Sequence, residues 1–328
     1  MYCFHVDFEF FACYTWAAST HSISFSGIHE NYTVDVALRS GAVPENTSMP
    51  KPNSPRVAFQ GERGAYSEIA ARRFFGDTIE LLPCESFDLV FKTVETRKAD
   101  TGIVPIENSQ AGCIHQNYDL LLKHRLRIVG ELNLRVEHNL IGHPGTSLKS
   151  IQMVFSHPQA LMQCQGNTAK LKGVRIVSAY DTAGSVKKIK EEKLLNAAAI
   201  ASGLAAKTYG MKILKKGIQD NPENFTRFLI LRKTQTPPSN ANKTSLVFSL
   251  KNVPGALFRS LSAFALRDID LYKIESRPLH GKPWEYFFYI DFAGSPRDPN
   301  CRNALTHLGE IATFLKVLGS YPRDAKKL

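Results

Sequence analysis

The chain has no run of about 18 apolar residues, so a membrane-spanning helix is excluded and no membrane partner is expected. Its six cysteines, Cys3, Cys13, Cys84, Cys113, Cys164 and Cys301, include no C-x-x-C pair. No histidine cluster has metal-ligand spacing. These absences leave no zinc ribbon and no thioredoxin-type motif, and they suggest reduced thiols in a cytosol-like compartment. Met1–Phe11 has no basic n-region, which argues against a signal peptide, and it lacks the arginine richness of a transit peptide. Charge is the unusual quantity, at +11 net. The cations are spread along the chain in short pairs such as Lys187-Lys188 and Lys215-Lys216, not in a basic stripe with interleaved aromatics. A nucleic-acid partner is therefore not expected. A solvated basic surface accounts for the excess, and attraction of a small dianion is its most economical use.

The length of 328 residues accommodates two or three cores. Residues 1–55 differ from the rest, and the proline-rich stretch Pro44–Pro55 reads as a linker, so this part is an N-terminal extension of no assigned role. From Arg56 strand and helix patterns alternate. Val57-Ala58-Phe59 is a short buried strand, Ser67–Phe75 a helix, and Ser86 caps a helix with Phe87, Val90, Phe91 and Val94 at helical spacing. Thr101–Ile106 is a strand that ends in the Glu107-Asn108-Ser109 loop, and Gln159–Leu171 is a helix. Arg127–Ile141 is a long extended run that could cross between two lobes. Repeated βα units imply an α/β fold with helices on the sheet faces, and ligands in such folds sit where loops leave the strands. Thr234–Lys243 is a polar linker with a proline pair. The C-terminal remainder reads β-α-β-β-α-β, with helices over Gly255–Arg267 and Asn300–Lys316 and a last edge strand over Lys316–Tyr321: the ferredoxin-like order.

Five polar clusters stand out: Gly61–Ser67, Pro105–Ser109, Ser156–Gln159, Asp181–Ala183 and Asn224–Phe228. The Gly61-x-x-Gly64 turn could cradle an anion at a helix N-terminus, although no Gly-Lys-Ser/Thr follows and the third glycine of a dinucleotide fingerprint is missing. Its bland reading is a tight strand-to-helix turn. Thr226 could donate a hydrogen bond to a departing oxygen while Arg227 holds a carboxylate; alternatively Thr226 is an ordinary strand-entry residue. Glu107 could orient a relay or act as a donor if burial raises its pKa, or it could cap a helix or pair with a cation. His157, followed by Pro158, reads as a structural turn residue rather than a general acid.

In this order and at these separations the clusters resemble the prephenate dehydratase family, from about Arg56 to Lys233. The resemblance implies a two-lobed, periplasmic-binding-protein-like catalytic domain (56–233) with an interlobe cleft. It maps an essential threonine onto Thr226, with Glu107 as its catalytic companion. It makes Arg227 a substrate-carboxylate ligand and places Phe228, Asn108, Ser109, Ser156, Gln163, Thr182, Tyr66 and Ser67 in the substrate cleft. Ala65 departs from the bacterial pattern and matches plant arogenate dehydratases, which the chain also resembles. Pro254-Gly255-Ala256-Leu257 and Glu275-Ser276-Arg277-Pro278 resemble the signatures of phenylalanine-binding ACT domains. That resemblance implies a regulatory ACT domain over 244–322, an L-phenylalanine site formed by Gly255, Ala256, Leu257, Glu275, Ser276 and Arg277, and a homodimer or homotetramer.

The activity so implied is decarboxylating dehydration of prephenate to phenylpyruvate. Arogenate is the alternative substrate, and a non-catalytic amino-acid-sensing protein the alternative class. Aromatisation supplies the driving force, so no cofactor or metal is expected, and the protein's task is orientation and placed donors. The resemblance implies a cytoplasmic enzyme, or a stromal one if the source is a plant or alga.

Overall fold

The computed structural model describes residues 54–324 apart from Gln235, His280 and Pro283. All of the N-terminal extension but Ser54 and Pro55 lies outside the described residues.

The first lobe is built from β1 (Arg56–Gln60), α1 (Tyr66–Phe75), β2 (Glu80–Cys84), α2 (Phe87–Glu95), β3 (Thr101–Asn108), β4 (Gly112–Cys113), α3 (His115–Lys123) and β5 (Arg127–Arg135). The chain then crosses at Val136–His138 to a second lobe. That lobe holds β6 (Asn139–Gly142), β7 (Met153–Ser156), α4 (Pro158–Gln163), α5 (Gln165–Thr168), β8 (Arg175–Ser178), α6 (Thr182–Glu191), β9 (Ala197–Ala201), α7 (Gly203–Tyr209) and β10 (Lys212–Lys215). A second crossing returns it to the first sheet as β11 (Phe225–Arg232), which lies antiparallel between β3 and β5. The sheet orders are β2-β1-β3-β11-β5 and β10-β6-β9-β7-β8. The extended run from Arg127 thus spans the lobes, and the two crossings bind each other: Val136 N–H donates to the Asn224 carbonyl and Ile218 N–H to the His138 carbonyl.

The expected helix Gln159–Leu171 is broken at Cys164 into α4 and α5. Asp220 caps the second piece, its carboxylate accepting from the amides of Gly166 (2.8 Å) and Asn167 (3.0 Å). Capping of this kind makes a helix restart favourable.

The C-terminal part is β12 (Lys243–Ser249), α8 (Ala256–Ala265), β13 (Leu271–Pro278), β14 (Tyr286–Ala293), α9 (Pro299–Ile311) and β15 (Phe314–Tyr321), an antiparallel sheet in the order β13-β14-β12-β15. This is the ferredoxin-like arrangement. Helix α9 stops at Ile311, five residues short of the expected Lys316, because Phe314–Lys316 pair with β12 instead. One apolar cluster lies under α8 and α9. Another is continuous between this sheet and the first lobe: Val247, Tyr289, Leu318 and Tyr321 pack with Phe91, Leu121 and Ile128. Among the described residues no helix is long and apolar enough to cross a membrane.

Candidate active site

Between the two lobes lies a cleft of about 420 Å³. Alternation along β11 decides which residues enter it, since successive side chains in a strand point to opposite faces. Thr226 and Phe228 face the cleft, while Arg227, Leu229 and Leu231 face the other way. On β3 the alternation is interrupted. The register passes from Arg227↔Glu107 to Phe228↔Pro105, so Ile106 is an extra residue. Such a bulge moves every later side chain to the opposite face. Pro105 and Asn108 therefore line the cleft, and Glu107 points away from it.

The centre of the cleft is a closed ring of three amides. Asn108 Nδ2 donates to Asn224 Oδ1 (2.7 Å), Asn224 Nδ2 to Gln163 Oε1 (2.9 Å), and Gln163 Nε2 to Asn108 Oδ1 (3.1 Å). Asn108 Nδ2 also donates to Thr226 Oγ1 at 3.0 Å. The backbone amides of Gln110 and Ala111 donate to Asn108 Oδ1, which fixes the orientation of that side chain. His138 adds a bond from Nε2 to Gln163 Oε1 (2.9 Å), and its Nδ1 meets the Tyr66 hydroxyl at 2.9 Å. Burial holds the His138 imidazole below its ordinary range and pushes the Tyr66 phenol well above its own.

Among the described residues, no lysine or arginine lines this cleft. Helix starts face it instead. Tyr66 and Ser67 open α1, Gln159 lies in the first turn of α4, and Thr182 opens α6 behind its cap Asp181. Partial positive charge at helix N-termini favours carboxylates. Asp181 is the acidic group of the lining, and burial raises its pKa above the usual carboxylate range. At the mouth, Glu62 of the first lobe meets Tyr180 OH (3.0 Å) and Lys187 Nζ (3.1 Å) of the second.

Of the residues expected in the cleft, Thr226, Phe228, Asn108, Gln163, Thr182, Tyr66 and Ser67 line it. Four expectations are corrected. Arg227 is buried on the opposite face, its Nε 2.8 Å from Glu131, its Nη1 3.1 Å from Glu107 and 2.7 Å from Asp291, and its Nη2 donating to Tyr321 OH (3.0 Å). Glu107 is held by Arg227 and Lys273; burial alone would raise its pKa, but these two cations keep it below the usual range. Ser109 staples a turn, donating to the Glu223 carbonyl and accepting from Phe225 N–H. Ser156 is fully buried and donates to the Ile200 carbonyl at 2.6 Å.

The Gly61–Gly64 turn is also not an open anion cradle. Gly64 N–H donates to the carboxylate of Glu68 (2.8 Å). Gly64 has φ of +89°, and a Cβ there would lie 2.6 Å from Ala205 Cα on α7, so glycine is required for contact between the lobes. His157 caps α4 by accepting from Gln159 N–H, in keeping with a turn role, and its imidazole lines the cleft.

Sequence reasoning misses His138, and it names Asn224 only as the first residue of the Asn224–Phe228 cluster, without a role. The polar triplet Glu137-His138-Asn139 interrupting an extended apolar run is the available signal for the first. Proximity to Thr226 is the signal for the second.

The expected effector residues fall into two groups. Gly255, Ala256 and Leu257 line a pocket of about 220 Å³ with Trp284, Tyr286 and Phe288. Glu275 and Arg277 on β13 turn toward the first lobe, to His115 and Asp119 respectively, and Ser276 between them is exposed.

The family model for prephenate dehydratase matches residues 57–236. The Arabidopsis thaliana protein arogenate dehydratase/prephenate dehydratase 2, chloroplastic, is 50% identical over 284 residues, covering 83% of this chain and 74% of its own. Among solved structures, the prephenate dehydratase of Arthrobacter aurescens in complex with L-Phe is 31% identical with a TM-score of 0.76, covering 83% of this chain and 91% of its own. GqqA, described as a novel type of quorum-quenching acylase, is 35% identical with the same TM-score of 0.76, covering 82% of this chain and 98% of its own. Together with the matching fold and a cleft centred on Thr226, these likenesses establish that the chain belongs to the prephenate dehydratase family.

Proposed function

We propose that the chain catalyses the decarboxylating dehydration of prephenate to phenylpyruvate, or of arogenate to L-phenylalanine, in phenylalanine biosynthesis. The observation that carries this reading is the bond from Asn108 Nδ2 to Thr226 Oγ1. Because the threonine oxygen accepts from an amide anchored by backbone N–H groups, its own proton is free to point into the cleft. In the reaction the ring carboxylate leaves as carbon dioxide, its bonding electrons enter the ring, and the C–O bond at the opposite ring carbon breaks. The hydroxyl leaves as water, so one proton is taken up overall for each prephenate dianion converted. Thr226 donates a hydrogen bond to the oxygen on which charge develops, and aromatisation provides the driving force. The helix starts at Tyr66, Gln159 and Thr182 hold the carboxylates in place of Arg227.

In this reading residues 56–233 are the catalytic domain, 234–243 a linker and 244–322 an ACT regulatory domain that takes L-phenylalanine in the pocket at Gly255–Leu257 of a homodimer or homotetramer. The Arthrobacter aurescens complex with L-Phe supports it. The chloroplastic designation of the Arabidopsis relative supports a stromal location. The test is parallel assay of the full chain with both substrates, following phenylpyruvate absorbance and phenylalanine release. Absence of turnover with both, alongside measurable L-phenylalanine binding, would favour the amino-acid-sensing alternative.

A further inference from the structure

The amide ring has a fixed polarity. Backbone amides at Gln110 and Ala111 make Asn108 Oδ1 an acceptor, so Asn108 presents its NH₂ group to Asn224 and Thr226. Gln163 must then offer its NH₂ to Asn108 Oδ1 and its Oε1 to the other side. There Oε1 faces Asn224 Nδ2 and His138 Nε2. An oxygen with no proton requires donors, so His138 must carry its proton on Nε2. In the neutral imidazole Nδ1 is then an acceptor 2.9 Å from the Tyr66 hydroxyl, whose single proton is shared between Nδ1 and the Glu137 carbonyl at 2.7 Å.

Position adds a second argument. His138 lies in the first interlobe crossing, where its own amide donates to Gln219 Oε1 (3.0 Å) and its carbonyl accepts from Ile218 N–H, both in the returning crossing. Tyr66, Asn108 and Thr226 belong to the first lobe and Gln163 to the second. The bonds from Gln163 to Asn108 and to His138 therefore join the second lobe to the group that orients Thr226.

Resting on the dehydratase reading, we propose that His138 is a positioning residue for the dehydration: from the interlobe crossing its Nε2–H holds the Gln163 amide, which holds Asn108 and so aims the Thr226 proton into the cleft. It acts through two amides on the threonine and does not itself transfer a proton. Its loss lets Gln163 rotate, which allows Asn108 to lose one acceptor bond and leaves the Thr226 hydroxyl free to turn away.

The test uses the full-length chain. In nitrogen-15 spectra of histidine-labelled protein, His138 is expected as the Nε2–H tautomer; an Nδ1–H tautomer overturns the proposal whatever the activity. Wild-type turnover of neither prephenate nor arogenate would instead sink the dehydratase reading, and the tautomer would report separately on the bonding chain. His138→Ala is expected to lower kcat on the order of tenfold to a hundredfold, less than the about 10²–10³ lost with a direct donor, while KM stays within about twofold. His138→Gln keeps an N–H within reach of Gln163 Oε1 and should recover most of that loss. Equal impairment of the Ala and Gln variants, or a kcat for His138→Ala within about twofold of wild type, refutes the role. If His138→Ala does not fold, His138→Phe keeps the bulk of the ring without its N–H and should lower kcat in the same sense; an unchanged kcat there also refutes it.

Discussion

Thr226 and Arg227 are adjacent in sequence and point to opposite faces of β11. The threonine hydroxyl accepts from Asn108 in the interlobe cleft, while the guanidinium is buried against Glu131, Glu107, Asp291 and Tyr321. Glu107 and Glu131 come from the first lobe, Asp291 and Tyr321 from the C-terminal sheet. One strand thus carries the proposed hydrogen-bond donor on one face and the contact with the C-terminal sheet on the other. Asp291 of β14 and Tyr321 of β15 contact the residue next to Thr226.

Replacing Thr226 by alanine is expected to lower kcat by about 10²–10³, the loss typical of one transition-state donor. Thr226→Ser keeps the hydroxyl and should retain much of the rate. Steady-state kinetics with a melting curve for each variant separates lost chemistry from lost fold.

Substitution of Arg227 should act on stability rather than on substrate affinity. Arg227→Met leaves buried Glu131 and Asp291 with less compensation, and breaking a buried pair in this way costs about 3–5 kcal/mol. Urea denaturation should register that loss. KM within about twofold of wild type in folded Arg227→Lys would agree with a guanidinium outside the cleft, whereas a large rise in KM would return Arg227 to the substrate.

Acid should loosen the contact between the first lobe and the C-terminal sheet. Burial alone would raise the pKa of Asp291, but the Arg227 and Lys243 charges outweigh it and hold the carboxylate below its usual range; Glu107 is depressed in the same way by Arg227 and Lys273. A carboxylate depressed on folding stabilises the native state above its unfolded pKa of about 4, and the contribution fades as pH falls through the lower folded value. Urea midpoints measured from pH 7 down to pH 3 should stay level and then fall below about pH 4. A midpoint independent of pH over that range would contradict the cluster.

L-phenylalanine binding should be visible from Trp284, one of two tryptophans and a lining residue of the pocket at Gly255–Leu257. Titration should change its fluorescence, and Trp284→Ala should weaken binding in calorimetry without reducing basal turnover. Undiminished affinity in that variant would move the effector to another place.

Truncation after Thr234 should yield a poorly folded product rather than an independent catalytic fragment. The cut removes Val247, Tyr289, Leu318 and Tyr321 from a core they share with Phe91, Leu121 and Ile128. Exposing a contiguous apolar face of that kind favours aggregation. A monodisperse fragment with a cooperative melt would show that the first lobe closes its core alone.

The sequence by itself determined the α/β alternation, the run crossing between lobes, the βαββαβ order at the C-terminus and the chemistry concentrated near Thr226. Those follow from local periodicity and from residue types whose hydrogen-bonding capacity does not depend on neighbours far along the chain. Tertiary structure alone decided which of the motif residues reach the cleft. The extra residue Ile106 on β3 reverses the alternation, so Asn108 enters the site and Glu107 leaves it. Arg227 departs for the same kind of reason: its strand is covered on both faces, and carboxylates distant in sequence wait on the far one. His138 becomes part of the site because two crossings place a short polar triplet between the lobes. Pairing register and crossing geometry are set by contacts between segments about 80 to 120 residues apart, and no local pattern of side chains encodes them.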